Sequence, residues 1–389
     1  MAGGGRFEMR ALCPLSIVLV ALLASVAVAD IIYVNPGGSI QTGINAASPG
    51  DTVLVNDGTY NEAGIVMKPG VKLRGASDDT TAVLIDAGNP PIMDGIFYVT
   101  DCGDTTEIRG MTLARGTTAS VAPYQGGGIK LVNSSPELIN LMFIECSALG
   151  QGGAIFCDSS SPTLMNVCLK GNAAYAGGGG GMSLINGSNP HLQDCSLIMN
   201  SAQAGGNISC DQSSPVLTDC FFAGGATQND GDGMYLTDNS NPQLTNVSFG
   251  MMQSNLPNSY GQCVYMEVNS DPVFTNVCFQ NSGLGYGPLL YSQESTSTPT
   301  FTCCNCYAWG PNSSTYGGFI TDPTGSDGNI SMDPLYCDAV NWDLTVDAGS
   351  PNLPGSVHNT CGTLIGCFGQ GCDVPVESTS WGRIKSMWR

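Results

Sequence analysis

Seven copies of a Ser-Ser-Pro phrase, or a close variant of it, cross the middle of the chain and end at Pro136, Pro162, Pro190, Pro215, Pro242, Pro272 and Pro299. Successive prolines stand 25 to 30 residues apart, a period that belongs to solenoids and stacked coils. Glycine clusters precede most copies, as at Gly126 to Gly128, Gly152-Gly153, Gly177 to Gly181, Gly205-Gly206 and Gly231 with Gly233. Two residues after each proline comes a large apolar side chain: Leu138, Leu164, Leu192, Leu217, Leu244, Phe274 and Phe301. Four residues after it lie Asn140, Asn166, Asp194, Asp219, Asn246 and Asn276, until Cys303 breaks the series. Seven residues after it lie Phe143, Leu169, Leu197, Phe222, Phe249, Phe279 and then Cys306.

Within one repeat the apolar residues alternate over only a few positions, which predicts short strands with one buried face and no helix. One coil cannot bury its own apolar face, so stacked coils must share a continuous interior. The expected fold is all-β: a right-handed parallel β-helix of about ten coils, with equivalent residues stacked at roughly 4.8 Å. Asn and Asp tolerate left-handed backbone, so their column is expected at one bend. Glycines would supply positive φ at another.

The first 29 residues carry Arg6 and Arg10, an apolar run from Leu15 to Leu23 and the small-residue exit Ala27-Val28-Ala29. They read as a secretory signal peptide cleaved before Asp30. Residues 30–125 are expected to hold an N-terminal cap and the first coils, with Ile40 to Ala47 as a short amphipathic helix over the open end. Residues 126–310 carry the regular repeats, 311–372 the last coil and a Cys-rich cap, and 373–389 a polar tail. The tail reads either as a sorting tag or as a solvated end. No later stretch is long and apolar enough for a transmembrane segment.

The formal charge is −20, and cleavage of the leader would remove Arg6, Arg10 and Glu8, leaving about −21 with acids and bases ionised. From Gly116 to Trp381 the only lysines and arginines are Lys130 and Lys170. Nucleic acid is excluded as a partner, because binding it requires a cationic stripe. A polyanionic sugar would be repelled. Neutral glycans, cations and other proteins stay open.

Cleavage before Asp30 would also remove one of the 17 cysteines, Cys13, and leave an even number. Cys195 and Cys220 share a repeat position in adjacent coils and suit either a bridge or a buried thiol stack. Counted from the prolines, Cys157 and Cys210 share a column with Ile185 between them and read as small buried residues. The terminal group, Cys303, Cys304, Cys306, Cys337, Cys361, Cys367 and Cys372, reads as a disulfide-stapled cap. A zinc site is the alternative, since Cys303 and Cys306 have Cys-x-x-Cys spacing and His358 precedes Cys361 by three.

With these features in view, the chain resembles the secreted right-handed parallel β-helix proteins of the pectin-lyase-like superfamily. The opening Pro49-Gly50-Asp51-Thr52-Val53, Asp57-Gly58-Thr59-Tyr60 and Val71-Lys72-Leu73-Arg74-Gly75 is similar to the start of such domains. Asp333-Pro334-Leu335-Tyr336 with Gly349-Ser350-Pro351 resembles a frequent ending. The resemblance implies this fold, and it implies polysaccharide lyases and glycoside hydrolases as well as adhesins among the possible activities. The hydrolase-type Gly-His-Gly is absent: the histidines are His191 and His358. Arg383-Ile384-Lys385 spells another hydrolase motif but sits in the tail. The lyase type implies an arginine beside calcium-binding carboxylates, yet no carboxylate cluster is identified in sequence around Arg74, Arg109 or Arg115.

Three constellations could carry function. Four residues before the prolines stand Asp158, Asn186, Asp211 and Asp238, with Asp230 and Asp232 in a preceding loop, a row of oxygen ligands suited to Ca2+ or to solvated bends. Asp194 and Asp219, one coil apart, have the spacing of a retaining glycosidase pair but also continue the Asn column. Tyr124, Tyr175, Tyr260 and Tyr286 lie in loops where rings could stack on sugars or simply anchor the loop. The expected function is an exported cell-surface or extracellular protein that presents a rigid face to a glycan or a protein, without catalysis and without a required cofactor. A polysaccharide lyase or glycoside hydrolase is the alternative.

Overall fold

The serine two residues before each repeat proline turns into the interior and builds a ladder along the molecule. The computed structural model describes residues 1, 3, 29–88, 94–118, 124–252, 260–282 and 286–372. Most of the expected leader and the tail 373–389 lie outside the described residues. The backbone N–H of Ser134 donates to Ser160 Oγ, Ser160 to Ser188, Ser188 to Ser213, Ser213 to Ser240, Ser240 to Ser270 and Ser270 to Ser297, at 2.9–3.2 Å. All seven serines are buried. The residue just before each proline makes a second, outer ladder: the N–H groups of Ser161, Asn189, Ser214, Asn241 and Asp271 each donate to the side chain of the preceding coil. Proline follows without an N–H to satisfy, and its carbonyl accepts from the next coil, as Pro162 does from His191. The Ser-x-Pro phrase is thus a device that holds one turn of the coil in register.

Strands on either side of this turn pair in parallel throughout the body. An 18-stranded sheet covers two faces, a 10-stranded sheet covers a third, and a 4-stranded strip lies between. Together they make a right-handed solenoid of about nine turns with almost no helix. Leu138, Leu164, Leu192, Leu217, Leu244, Phe274 and Phe301 stand in direct register. So do Phe143, Leu169, Leu197, Phe222, Phe249, Phe279 and Cys306. Phe222, Phe249 and Phe279 stack at 4.5 and 5.1 Å between centroids, and every member of both columns is buried. Each such aromatic removes about 150–250 Å² from water, so the columns carry much of the hydrophobic stabilisation.

Both bend expectations hold. Asn140, Asn166, Asp194, Asp219, Asn246, Asn276 and even Cys303 adopt φ of 50–55°, folding the long sheet along one line. At the other bend Gly126, Gly152, Gly179, Gly205, Gly231 and Gly261 adopt φ of 61–71°. A Cβ on Gly179 would lie 2.1 Å from the Met182 carbonyl, so that bend is closed to larger residues. A further buried chain of asparagines was not legible beforehand: Asn172 Nδ2 donates to Asn200 Oδ1, and Asn200 Nδ2 to Asn207 Oδ1.

Turn length corrects one column. From the inward residue to the next proline there are five steps after Cys157 and Cys210 but six after Leu184 and Leu236. Counting from prolines therefore slips by one: Leu184, not Ile185, sits between Cys157 and Cys210.

The helix Ile40–Ala46 plugs the open end as expected, with Ile40, Ile44 and the adjoining Ala47 buried. Ser39 caps it, and Glu62 accepts from the Ile40 and Gln41 N–H groups. At the far end the closure is short: Asn329 accepts from Cys304 N–H and donates to the Phe301 carbonyl, and Ile330 bridges Asn305. The rest of the Cys-rich segment runs back along the outside of the long sheet. Its hairpin, Tyr336–Asp338 with Asp343–Val346, sets Leu344 in a cluster with Ile198, Phe221 and Ala223, which Phe368 from further along the segment joins. Gly224 and Gly250 make room, since a Cβ there would strike Trp342 and Leu344 at 2.6 and 2.7 Å. Disulfides Cys303–Cys361 and Cys337–Cys372 fasten this strap. Cys303 is thereby taken from the Cys-x-x-Cys pair and Cys306 faces the core, so the zinc alternative falls away. Cys195 and Cys220 are buried free thiols, which decides for the stack over the bridge.

Candidate functional site

Outward-facing positions of the ten-stranded sheet form their own column, and three successive members of it near the C-terminal end are tyrosines. Ser209, Tyr235, Tyr265 and Tyr291 are register partners on successive strands. Tyr235 and Tyr265 stack with centroids 5.3 Å apart and rings 3° from parallel, and Tyr265 and Tyr291 at 5.6 Å and 12°. Tyr260, from the loop before the strand Val264–Met266, stacks on Tyr291 at 4.6 Å. Four rings thus run along the axis, and Tyr260, 41% exposed, is the most open of them. Offset or parallel aromatic contacts of this kind contribute about 0.5–1.5 kcal/mol each beyond area burial.

The hydroxyls converge on one carboxylate. Tyr235 donates to Glu267 Oε1 at 2.5 Å, while Tyr265 lies 3.5 Å from Glu267 Oε2 and 3.2 Å from Gln293 Oε1. Burial first, and the Glu267 charge next, raise the pKa of both phenols, so they stay protonated donors. Asp230 accepts from the Tyr260 N–H at 2.7 Å, and burial with the nearby Glu267 charge raises its pKa. Two expectations made separately, the Asp230 loop and the Tyr260 ring, therefore meet here. Tyr286 adjoins them, its carbonyl accepting from Gln262. Tyr124 and Tyr175 belong to earlier coils and join no ring stack among the described contacts. The column itself was missed, although Tyr235 and Tyr265 each stand seven residues before a repeat proline and Tyr291 eight. That recurrence was the available signal.

Behind this face lies Asp232, buried, with Oδ1 accepting from both the N–H and the hydroxyl of Thr227. Its Oδ2 has no partner, and burial pushes its pKa up to about 8. It points into the fold and offers nothing to a ligand at the aromatic face.

The acidic row is staggered by the same one-residue slip that moved the thiol column. Asp158 pairs with Ile185, and Asp211 with Thr237, while Asn186 and Asp238 stand one residue on, in the bend. Asn186 Nδ2 donates to Asp158 Oδ1 at 2.8 Å. Calcium takes about six to eight oxygens, and no three acidic, histidine or cysteine side chains converge as a metal group among the described residues.

Asp194 and Asp219 sit within a ladder of carboxamides that has a fixed direction. Asn140 donates to Asp78, Asn166 to Asn140, Asn246 to Asp219 and Asn276 to Asn246, at 2.9–3.1 Å. Asp194 has no amide to continue it, and Asn166 Oδ1 is left without a partner. Burial, then the Asp219 charge, raises the pKa of Asp194.

The three early arginines are each paired. Arg74 grips Glu107 through two contacts of 2.7 Å, Arg109 grips Asp78, and Arg115 grips Asp86. The sequence showed no carboxylate cluster spaced around them because each arginine's partner lies about one coil away in the chain, 29 to 33 residues off.

Residues 94–250 match the family model for a right handed beta helix region. The chain therefore has a right-handed parallel β-helix fold. Among solved structures it is similar to the pectate lyase Pel9A, at 13% identity and a TM-score of 0.56, over 89% of this chain and 98% of that one. It also matches the PL6 family alginate lyase AlyGC at 11% identity and a TM-score of 0.32, over 90% of this chain and 59% of that one. No curated protein matches the chain. No helix among the described residues is long and apolar enough to cross a membrane.

Proposed function

We propose that this protein is exported and binds a non-anionic glycan, without cleaving it, along the outer face of the ten-stranded sheet. The observation that carries the reading is the four-ring tyrosine stack with Glu267 and Gln293 at its edge. Rings and polar groups side by side suit a sugar, which has apolar faces and a rim of hydroxyls. Tyr260 is the exposed ring of the stack, with Tyr235 and Tyr291 half-buried and Tyr265 buried, so a sugar would stack on Tyr260 and meet the polar groups beside it. Binding without cleavage is favoured because the arginines of the early coils are committed to carboxylates and Asp194 and Asp219 belong to a structural ladder. Disulfides and the leader-like opening favour an extracellular setting.

The test is binding of a glycan panel to the full chain and to Tyr260→Ala, with parallel assays for new reducing ends and unsaturated products. Binding weakened by roughly tenfold in the variant, with no product formed, is expected for loss of an exposed stacking ring. Product formation by the wild type, abolished in Asp194→Asn, would establish the catalytic alternative instead.

A further inference from the structure

Resting on the reading of this face as a glycan platform, we propose that its ligand carries free amino groups: an amine-bearing glycan whose ammonium is held by Glu267 and the flanking tyrosine rings. Glu267 is half-buried, accepts from neutral phenols and has no basic partner among the described residues. The three ion pairs of the described structure lie elsewhere, at Arg74, Arg109 and Arg115. Asp230 places a second carboxylate beside the stack, also without a basic partner.

The choice among ligands follows from what each does to that charge. A neutral sugar that covers the rings also takes the carboxylates further from water and returns hydroxyl hydrogen bonds but no opposite charge. An anionic sugar adds repulsion to this cost, on a chain of net charge −20. An ammonium group compensates the carboxylate directly and is attracted to the aromatic rings beside it. Tyr260 and the exposed Gln293 then serve the sugar ring and its hydroxyls. The net negative field also speeds the approach of a polycation at low ionic strength.

The probes are a glucosamine hexamer and its fully N-acetylated counterpart, which share a backbone and differ in charge, titrated into the full chain at mildly acidic pH. The expected result is about tenfold tighter binding of the free amine. That preference, read as the ratio of the two affinities, disappears in Glu267→Gln and at high salt. Should Glu267→Gln fail to fold, Asp230→Asn makes the same comparison. Equal affinity for both hexamers, or a preference for the acetylated one, overturns the amine and leaves the glycan platform standing. Failure of both hexamers and of every other glycan to bind removes the platform and this inference together.

Discussion

Asp194→Asn should make the protein more stable. In every intact step of the carboxamide ladder the Nδ2 of one coil donates to the Oδ1 of the coil before, and Asn166 Oδ1 is buried and unserved because the next residue is an aspartate. Asparagine at 194 supplies the missing donor without changing the bend, since its neighbours in the column show that Asn accepts φ near 53°. One repaired hydrogen bond is worth about 0.5–1.5 kcal/mol net. Removing the like charge one coil from Asp219 adds about 0.8 kcal/mol at a separation of roughly 5 Å in a water-like dielectric, the right limit for half-exposed groups. The sum, about 1–2 kcal/mol, should raise the melting temperature by roughly 1–3 °C in a chain of this size. The gain depends on pH. The pKa of Asp194 in the fold is raised above its unfolded value, so the wild-type side chain holds its proton at low pH and can donate to Asn166 itself. Wild-type stability from this group is complete below the unfolded pKa and is lost as pH rises through the folded one. Calorimetric scans of both proteins near pH 4 and near pH 7 should therefore show a larger difference at pH 7. A variant that is less stable at both values would refute the ladder argument.

The pKa of Asp232 is raised in the fold to about 8, so the native state binds the extra proton and stability should fall as pH climbs from about 4 to about 8. Asp232→Asn should flatten that part of the curve, as followed by urea midpoints. Ser188→Ala removes the acceptor of the Ser160 N–H and the donor to the Ile185 carbonyl inside the core. Denaturant titration should show a loss of about 1–3 kcal/mol for each buried group left unsatisfied. Opening Cys337–Cys372 by paired serine substitution releases a 35-residue span, worth about 3–4 kcal/mol in the chain-entropy account. Hydrogen exchange should rise in Asp343–Val346 and beneath it at Phe221–Ala223, while the inner serine ladder stays protected.

A solenoid is the most local of folds, and that is why so much of this one could be read in advance. Each coil meets only the coils before and after it, so the recurrence of Leu138, Asn140 and Phe143 at fixed offsets from a proline already states which side chains lie over one another. The interior, the two bends and the capping helix follow from period, side-chain size and backbone tolerance alone. Three things escaped, each for a reason of geometry. Register across a turn depends on whether that turn takes five residues or six, which moved Ile185 out of the thiol column and staggered Asp158 against Asn186. Ion pairs such as Arg109 with Asp78 join residues about one coil apart, where chain spacing conceals a contact of 2.9 Å. The strap and the tyrosine face depend on the outer surface, where no repeated core constrains the residues. Folding back onto Phe221 and Gly250 needed the whole body in place, as did the meeting of Tyr260 with Tyr291 beside Glu267. The amino-acid sequence determined the coil, because its stabilising contacts repeat at a fixed interval. The tertiary structure alone decided what the coil presents to its surroundings, because the outside is assembled from segments whose encounter no local pattern records.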